Sequence, residues 1–412
     1  MSSQEVISSD IQRVLGDSFG YSSLRPLQSE AITAAIEGRD ALVVMPTGGG
    51  KSICYQIPPL VKNDLTVVVS PLIALMKDQV DSLRAMGIAA RQVDSTSSAA
   101  GKRAVSDEAL GGELRLLFVA PERLNMPRFL TFLRRARVAR FAIDEAHCIS
   151  HWGHDFRPDY RLMAELRDHF PDAAVHAFTA TATNRVRHDI VQQLRLRDPE
   201  VLIGSFDRPN LVYRVVPRTN RLQQIMSVVS RHQGEGGIVY CIRRKDVDSI
   251  AEGLKRRGIE AVSYHAGLAP EERKAAQEAF SREECDVVVA TVAFGMGVDR
   301  SNIRYVVHAG MPKSIEAYQQ ETGRAGRDGL EAECVLLYSG ADLMTLKWMV
   351  EKSAEEAGAV DRSFLASALQ HIEDMNRYCR AASCRHKALV QYFGQTYDKA
   401  SCDACDLCLG DV

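Results

Sequence analysis

The sequence predicts an α/β protein with two parallel-sheet domains in tandem, followed by a small helical segment that holds a metal. Three observations carry this. Short β-branched runs alternate with amphipathic stretches from residue 41 to about 205. After a polar break the same rhythm resumes and lasts to about 340. The β-branched runs then stop, helical periodicity takes over, and cysteines gather between positions 379 and 408.

Taken in order, residues 1–40 read as helical, with a loop at Phe19-Gly-Tyr-Ser-Ser-Leu-Arg-Pro. Strands are expected at Ala41-Leu-Val-Val-Met, Thr66-Val-Val-Val-Ser, Leu114-Arg-Leu-Leu-Phe-Val, Arg140-Phe-Ala-Ile-Asp and Val175-His-Ala-Phe-Thr-Ala. Runs this apolar suit strands covered on both faces by helices. The polar, proline-containing stretch Ser205-Phe-Asp-Arg-Pro-Asn reads as a linker. Beyond it, Gly237-Ile-Val-Tyr-Cys, Ala261-Val-Ser-Tyr-His, Asp286-Val-Val-Val-Ala, Tyr305-Val-Val-His and Cys334-Val-Leu-Leu-Tyr look like the strands of a second α/β domain. Leu343, Leu346, Trp348, Met349, Phe364, Leu365, Leu369, Ile372 and Met375 are placed to line a small helical core. The expected division is 1–206, 207–340 and 341–412.

Bulk properties bound the function classes. With 412 residues, 46% hydrophobic and 25% charged, the chain can fill more than one globular core. Its longest apolar runs are strand-sized, far short of the ~18 residues of a membrane span. Met1-Ser-Ser-Gln-Glu carries no basic stretch leading into an apolar one, so the expected compartment is the cytoplasm. The singly placed Cys54, Cys148, Cys241, Cys285 and Cys334 fit reduced thiols there. A formal charge of −2 speaks neither for nor against a nucleic-acid partner, which needs only a local basic or polar track.

Three motifs carry phosphate chemistry. In Met45-Pro-Thr47-Gly48-Gly49-Gly50-Lys51-Ser52, between an expected strand and helix, the glycines let backbone N–H groups curl around phosphate oxygens. Lys51 would neutralise the β- and γ-phosphates of ATP and Ser52 would coordinate Mg2+. Met45 stands where the commonest form of this loop has glycine. Asp144 and Glu145 end an apolar strand, which puts both carboxylates at the C-terminal sheet edge. Asp144 is placed to hold Mg2+ and Glu145 to orient or deprotonate the attacking water. His147 either couples this site to Thr179-Ala-Thr181 or is a structural histidine. The third motif, Gln320-Glu-Thr-Gly-Arg324-Ala-Gly-Arg327, spaces two arginines so that both face one side if the segment is helical. They would reach across from the second domain to the γ-phosphate, although a surface turn with salt-bridged arginines reads the same locally. A site shared in this way can turn ATP binding into domain closure, the plan of a motor.

With these residues in hand, the chain resembles the RecQ family of superfamily-two DNA helicases from about residue 10 to 410. The resemblance implies two RecA-like domains and a zinc-binding module. Phe19-Gly-Tyr21-Ser-Ser-Leu-Arg25-Pro-Leu-Gln28 is similar to the family's adenine-recognition motif. It implies that Gln28 and Arg25 contact the base and that Tyr21 stacks near it. Cys148-Ile-Ser-His151-Trp152-Gly-His154-Asp155-Phe156-Arg157 resembles the aromatic-rich loop that links single-stranded DNA to hydrolysis. Trp152 and Phe156 would stack on bases without regard to sequence, at about 1–3 kcal/mol per base; as core aromatics they would not. Ser70-Pro-Leu-Ile-Ala-Leu-Met76-Lys-Asp-Gln79 resembles a strand-tracking motif of the first domain, and Thr291 and Asp299 lie in a motif of the second. By resemblance, Thr291 touches the DNA backbone and Asp299 approaches the ribose or the domain interface.

Cys384, Cys402, Cys405 and Cys408 have the spacing C-x17-C-x2-C-x2-C. Four soft thiolates fit a closed, structural Zn2+ site, and the family's zinc module is spaced in the same style. An iron–sulfur cluster is the alternative, although the proline after the last cysteine of the common ferredoxin run is absent and Leu409 stands there. Cys379 reads as a spare thiol.

The expectation is a 3′-to-5′ ATP-dependent DNA helicase or translocase, the polarity resting on the resemblance. Its partners would be single-stranded and tailed or branched DNA, and its action monomeric, with no membrane. Two rivals are an RNA helicase and a nucleic-acid-binding module with a vestigial ATP site. Family members usually continue into a winged-helix domain, whereas this sequence stops at Val412, so it reads as a short member or a catalytic fragment.

Overall fold

The computed structural model describes residues 3–94, 97–292, 294–295, 300–356 and 362–411. The chain divides into two compact units, Met1–Gly204 and Ser205–Val412.

The first unit is built on β1 (Ala41–Val44), β2 (Leu65–Val69), β3 (Ala90–Val93), β4 (Leu116–Val119), β5 (Val138–Ile143), β6 (Ala174–Thr179) and β7 (Glu200–Ile203). Among the described residues they form one parallel sheet in the order β3-β4-β2-β5-β6-β1-β7. β1, β2, β4 and β6 are buried along their whole length, as expected of a sheet covered on both faces. The core beneath the sheet joins Val43 and Phe178 to Tyr55 and Ile57 of the helix Lys51–Lys62 and to Ile11 and Leu15 of the helix Ser3–Phe19.

Strand order matters for the site. β6 lies between β1 and β5, so the end of β6 separates the loop after β1 from the carboxylates after β5. All three strand ends lie on the C-terminal sheet edge, where ligands bind in open α/β sheets.

The second unit has β8 (Leu211–Pro217), β9 (Gly236–Tyr240), β10 (Ala261–Tyr264), β11 (Val287–Ala290), β12 (Ile303–His308) and β13 (Ala332–Tyr338). They pair in parallel in the order β10-β11-β9-β12-β13-β8. Gly237 is needed for close packing here, because a Cβ at this position would overlap the ring of Tyr305. The helices Gly340–Glu356, Arg362–Arg380 and Arg385–Tyr392 follow.

Three strands lie outside the sequence expectation: β3, β7 and β8. Each is a sheet edge. Edge strands are half-covered, so Ala-Arg-Gln-Val and Glu-Val-Leu-Ile carry polar residues and lack the continuous apolar run that marks an inner strand. The edge of β8 is covered by the cysteine-rich segment. The Tyr213 N–H donates to the Ala404 carbonyl at 3.0 Å, and the Val215 N–H donates to Asp406 at 2.8 Å.

The expected helical core is corrected in part. Leu346, Ile372 and Met375 are buried, but Trp348 is 59% exposed and Met349 37%. They stand on the outer face of Gly340–Glu356, where Lys352 lies over the Trp348 ring.

Candidate nucleotide site and nucleic-acid interface

The loop after β1 turns through Gly48 and Gly50, whose φ values of 81° and 80° favour glycine. It runs directly into the helix that starts at Lys51. Lys51 Nζ donates to the Met45 carbonyl at 3.1 Å, which folds the ammonium back over the loop. The expected adenine-recognition residues hold this same loop. Gln28 is buried, and its Nε2 donates to the Gly50 carbonyl at 3.0 Å and to the Gly49 carbonyl at 3.4 Å. Its Oε1 accepts from the Arg25 N–H at 2.7 Å, and the Arg25 guanidinium donates to the Gly48 carbonyl. Tyr21 is exposed close by in sequence, and Thr47 and Ser52 are half-buried in and just after the loop.

Asp144 follows β5 and is buried. Burial raises its carboxyl to about 7, helped by the charge of Glu145 and opposed by Lys51. A buried carboxyl of this kind suits a cation, which would favour its ionised form. Glu145 adopts a left-handed backbone with φ 49°, unusual for a residue with a side chain. His147 lies behind it, fully buried. Its Nδ1 is 2.9 Å from Thr179 Oγ1 and 3.4 Å from the Glu145 carboxylate. Thr179 Oγ1 also accepts from the Thr181 N–H at 3.3 Å. The Thr179 carbonyl accepts from the Met45 N–H at 3.0 Å. One residue at the end of β6 therefore joins the phosphate loop to His147. Both readings of His147, coupling and structural, share this contact with Thr179. Tyr160, which the sequence reading missed, donates its hydroxyl to the Asp144 carbonyl at 2.9 Å; no local pattern marks it.

The aromatic loop leaves this cluster directly. The Arg157 N–H donates to the Cys148 carbonyl at 2.8 Å and closes the loop at its base. Gly153 sits so close to the His147 carbonyl that a Cβ would overlap it. The His154 ring stacks on His147 at 4.5 Å and the His151 ring on Phe156 at 4.0 Å. Arg185 lies over the Trp152 ring. Trp152 and Phe156 are half-buried, so neither is a core aromatic. Arg157 pairs with Asp155 at 3.1 Å and donates to the Pro71 carbonyl at 3.1 Å, linking the loop to the segment after β2.

That segment requires a correction. Met76, expected to meet nucleic acid, is fully buried in the core of the first unit, because it lies on the inner face of the helix Ile73–Ala85. Ser70 is buried as well. Gln79 is half-buried and accepts from the Tyr55 hydroxyl at 2.8 Å.

In the second unit the helix Ile315–Thr322 starts on Ser314, whose hydroxyl accepts the Ala317 N–H at 3.0 Å. It ends before Arg324. The two arginines therefore lie in a turn rather than on the helix face that would align them. Arg324 is buried and donates to the Gly295 carbonyl, and Arg327 is half-buried. Beneath Arg324, His308 pairs with Glu321 at 2.7 Å, both buried, and the Tyr240 ring stacks on His308 at 5.4 Å. Thr291 is half-buried at the end of β11, its N–H donating to the Tyr264 carbonyl at 3.1 Å. Asp299 lies outside the described residues.

The sulfurs of Cys384, Cys402, Cys405 and Cys408 all lie within 4.8 Å of one another. Tetrahedral zinc with bonds of ~2.3 Å sets sulfurs ~3.8 Å apart, so the four fit it. The Cys408 thiol is lowered to about 6, chiefly by the Cys402 backbone N–H. Cys379 is buried and outside the cluster, its thiol pushed up to about 12 by burial. Arg385, next to the first cysteine, pairs with Asp406 at 2.9 Å, both buried. Among the described residues, no helix is long and apolar enough to cross a membrane.

Comparison with known proteins sharpens this geometry. The DEAD/DEAH box helicase family matches residues 25–190, and the helicase conserved C-terminal domain matches residues 218–329. The fold is similar to that of the DUF1998 helicase MrfA bound to DNA, with a TM-score of 0.68 and 18% identity over 97% of this chain and 60% of that one. The phosphate loop, the acidic pair and the tandem sheets are thus those of a helicase core. The cysteine-rich end narrows the class, because RecQ zinc-binding matches residues 340–409. The ATP-dependent DNA helicase RecQ of Pasteurella multocida is 46% identical over 96% of this chain and 62% of its own length. That of Bacillus subtilis is 44% identical over 96% of this chain and 66% of its own. The chain belongs to the RecQ family of helicases. It spans just under two thirds of the length of these curated relatives.

Proposed function

We propose that this chain is an ATP-dependent 3′-to-5′ DNA helicase or translocase that acts as a monomer on single-stranded and tailed or branched DNA in repair and recombination. Its parts would be a nucleotide-binding domain at 1–206, a second helicase domain at 207–340 and a zinc-binding domain at 341–412. The observation that carries the reading is the physical continuity from Glu145 through His147 to His154 of the aromatic loop. DNA that stacks on Trp152 and Phe156 and meets His151 and Arg157 would shift a loop only a few residues from the carboxylate that positions water.

Lys51 and the N–H groups of residues 47–50 bind the β- and γ-phosphates, Gln28 and Arg25 face the base, and Arg324 and Arg327 stabilise charge on the γ-phosphate. Mg2+, held through Ser52 and Asp144, would neutralise phosphate charge when bound. Gln79 and Thr291 belong to the path of the strand, and Asp299 to the nucleotide. The thiolates of the four cysteines hold Zn2+, and its role is structural, since four thiolates leave no open position.

The test is ATP hydrolysis with and without single-stranded DNA, with Glu145→Ala as the blank. Strong stimulation, lost in the variant, is the expected result; intact DNA binding without stimulation would overturn the coupling. RNA of matched sequence should stimulate less than DNA. Equal stimulation would favour the RNA-helicase reading.

A further inference from the structure

We propose that His147, Cys148 and Asp155 form a second, inhibitory zinc site at the base of the aromatic loop. Their ligand atoms lie within 4.8 Å of one another. Cys148 Sγ is 3.8 Å from His147 Nε2 and 4.0 Å from Asp155 Oδ2. Bonds of ~2.3 Å to sulfur and ~2.0 Å to nitrogen or oxygen, at tetrahedral angles, need separations only slightly shorter. An imidazole, a thiolate and a carboxylate are a ligand set that zinc favours over Mg2+.

The surroundings are those of a metal-binding histidine. A ligating imidazole donates its other N–H to a fixed acceptor, which sets the tautomer. Here Nδ1 is anchored 2.9 Å from Thr179 Oγ1, which sets Nε2 on the side of Cys148, 3.8 Å from its sulfur. Asp155 in turn is held by Arg157. On binding, zinc replaces the thiol proton, which leaves to solvent.

The consequence follows from the position of the ring. Zinc on Nε2 fixes the imidazole whose Nδ1 lies 3.4 Å from the Glu145 carboxylate. It also pins Asp155, and with it the loop, to the hydrolysis site. Zinc bound here would therefore slow DNA-stimulated hydrolysis.

The experiment uses the full chain with its four-cysteine site already loaded, titrated with ZnCl2. Bound zinc is counted by equilibrium dialysis, and hydrolysis is read in parallel, each variant normalised to its own rate before zinc is added. About one zinc ion beyond that of the four cysteines should bind, and hydrolysis should fall with the same midpoint. Cys148→Ser and Asp155→Asn should each raise that midpoint on the order of tenfold or more. Asp155 is partly exposed, so its variant keeps the test valid if Cys148→Ser fails to fold. No additional zinc in the parent, or an unchanged midpoint in Asp155→Asn, would overturn the site. Because zinc is counted directly, failure of the proposed ATPase would leave this result readable.

Discussion

His147 Nδ1 stands 2.9 Å from the hydroxyl of Thr179, and the Thr179 carbonyl accepts from the N–H of Met45 at 3.0 Å. The histidine of the acidic motif and the first residue of the phosphate loop, far apart in sequence, thus share one partner. Several measurable consequences depend on this and neighbouring contacts.

Thr179→Val keeps the shape of the side chain and removes the hydroxyl. The buried His147 Nδ1 then loses its hydrogen-bond partner, and stability should fall by about 1–3 kcal/mol. If Thr179 positions Glu145 through His147, DNA-stimulated ATP hydrolysis should drop on the order of tenfold with little change in KM for ATP. Denaturant melts and steady-state kinetics on one preparation check both. An unchanged kcat would leave Thr179 a packing residue.

Arg324→Ala should lower ATP hydrolysis on the order of 10³- to 10⁵-fold if the residue acts on the γ-phosphate. Binding of a fluorescent ATP analogue to the variant should persist. Because Arg324 is buried and donates to the Gly295 carbonyl, a melting curve is the necessary companion measurement. Activity lost far beyond what a modestly lowered but cooperative melt accounts for is the expected result.

The cysteine-rich segment covers the β8 edge through Tyr213 and Val215. Zinc removal by a strong chelator should release it and expose the edge, giving a lower melting temperature and aggregation by light scattering. Arg385→Ala should act in the same direction with the metal present, at about 3–5 kcal/mol, because it strands the buried Asp406 carboxylate. A chelated protein that melts like the parent would count against a structural metal.

His176 on β6 is buried, and burial lowers its imidazole to about 4, partly opposed by its hydrogen bond to the Arg39 carbonyl. Below the ordinary value of 6.5 the unfolded chain takes up a proton that the folded chain refuses. Stability therefore falls as pH drops from 6.5 toward about 4, by as much as about 3 kcal/mol, and this loss levels off below that range. His176→Gln should flatten the pH dependence of the urea midpoint in this window. Identical slopes for variant and parent would refute the assignment.

Much of this was legible along the chain. The phosphate loop, the acidic pair and the four cysteines are local patterns whose chemistry depends on spacing alone. The inner strands declared themselves as apolar runs. β3 and β7 did not, because an edge strand needs only one covered flank and tolerates Arg91, Gln92 and Glu200. Met76 was misread because a motif position says nothing of which way its helix faces, and the helix turns that residue into the core. Arg324 and Arg327 were placed by spacing on a helix that in fact stops at Thr322.

The sequence by itself determined the two parallel-sheet units, the phosphate chemistry and the thiolate cluster, since each follows from residue type and short-range spacing. The tertiary structure decided which groups meet. Insertion of β6 between β1 and β5 puts Thr179 between Met45 and His147, and folding of the aromatic loop brings Asp155 back to Cys148. Strand order and loop closure are set by packing between segments distant in the chain, and no local pattern encodes them.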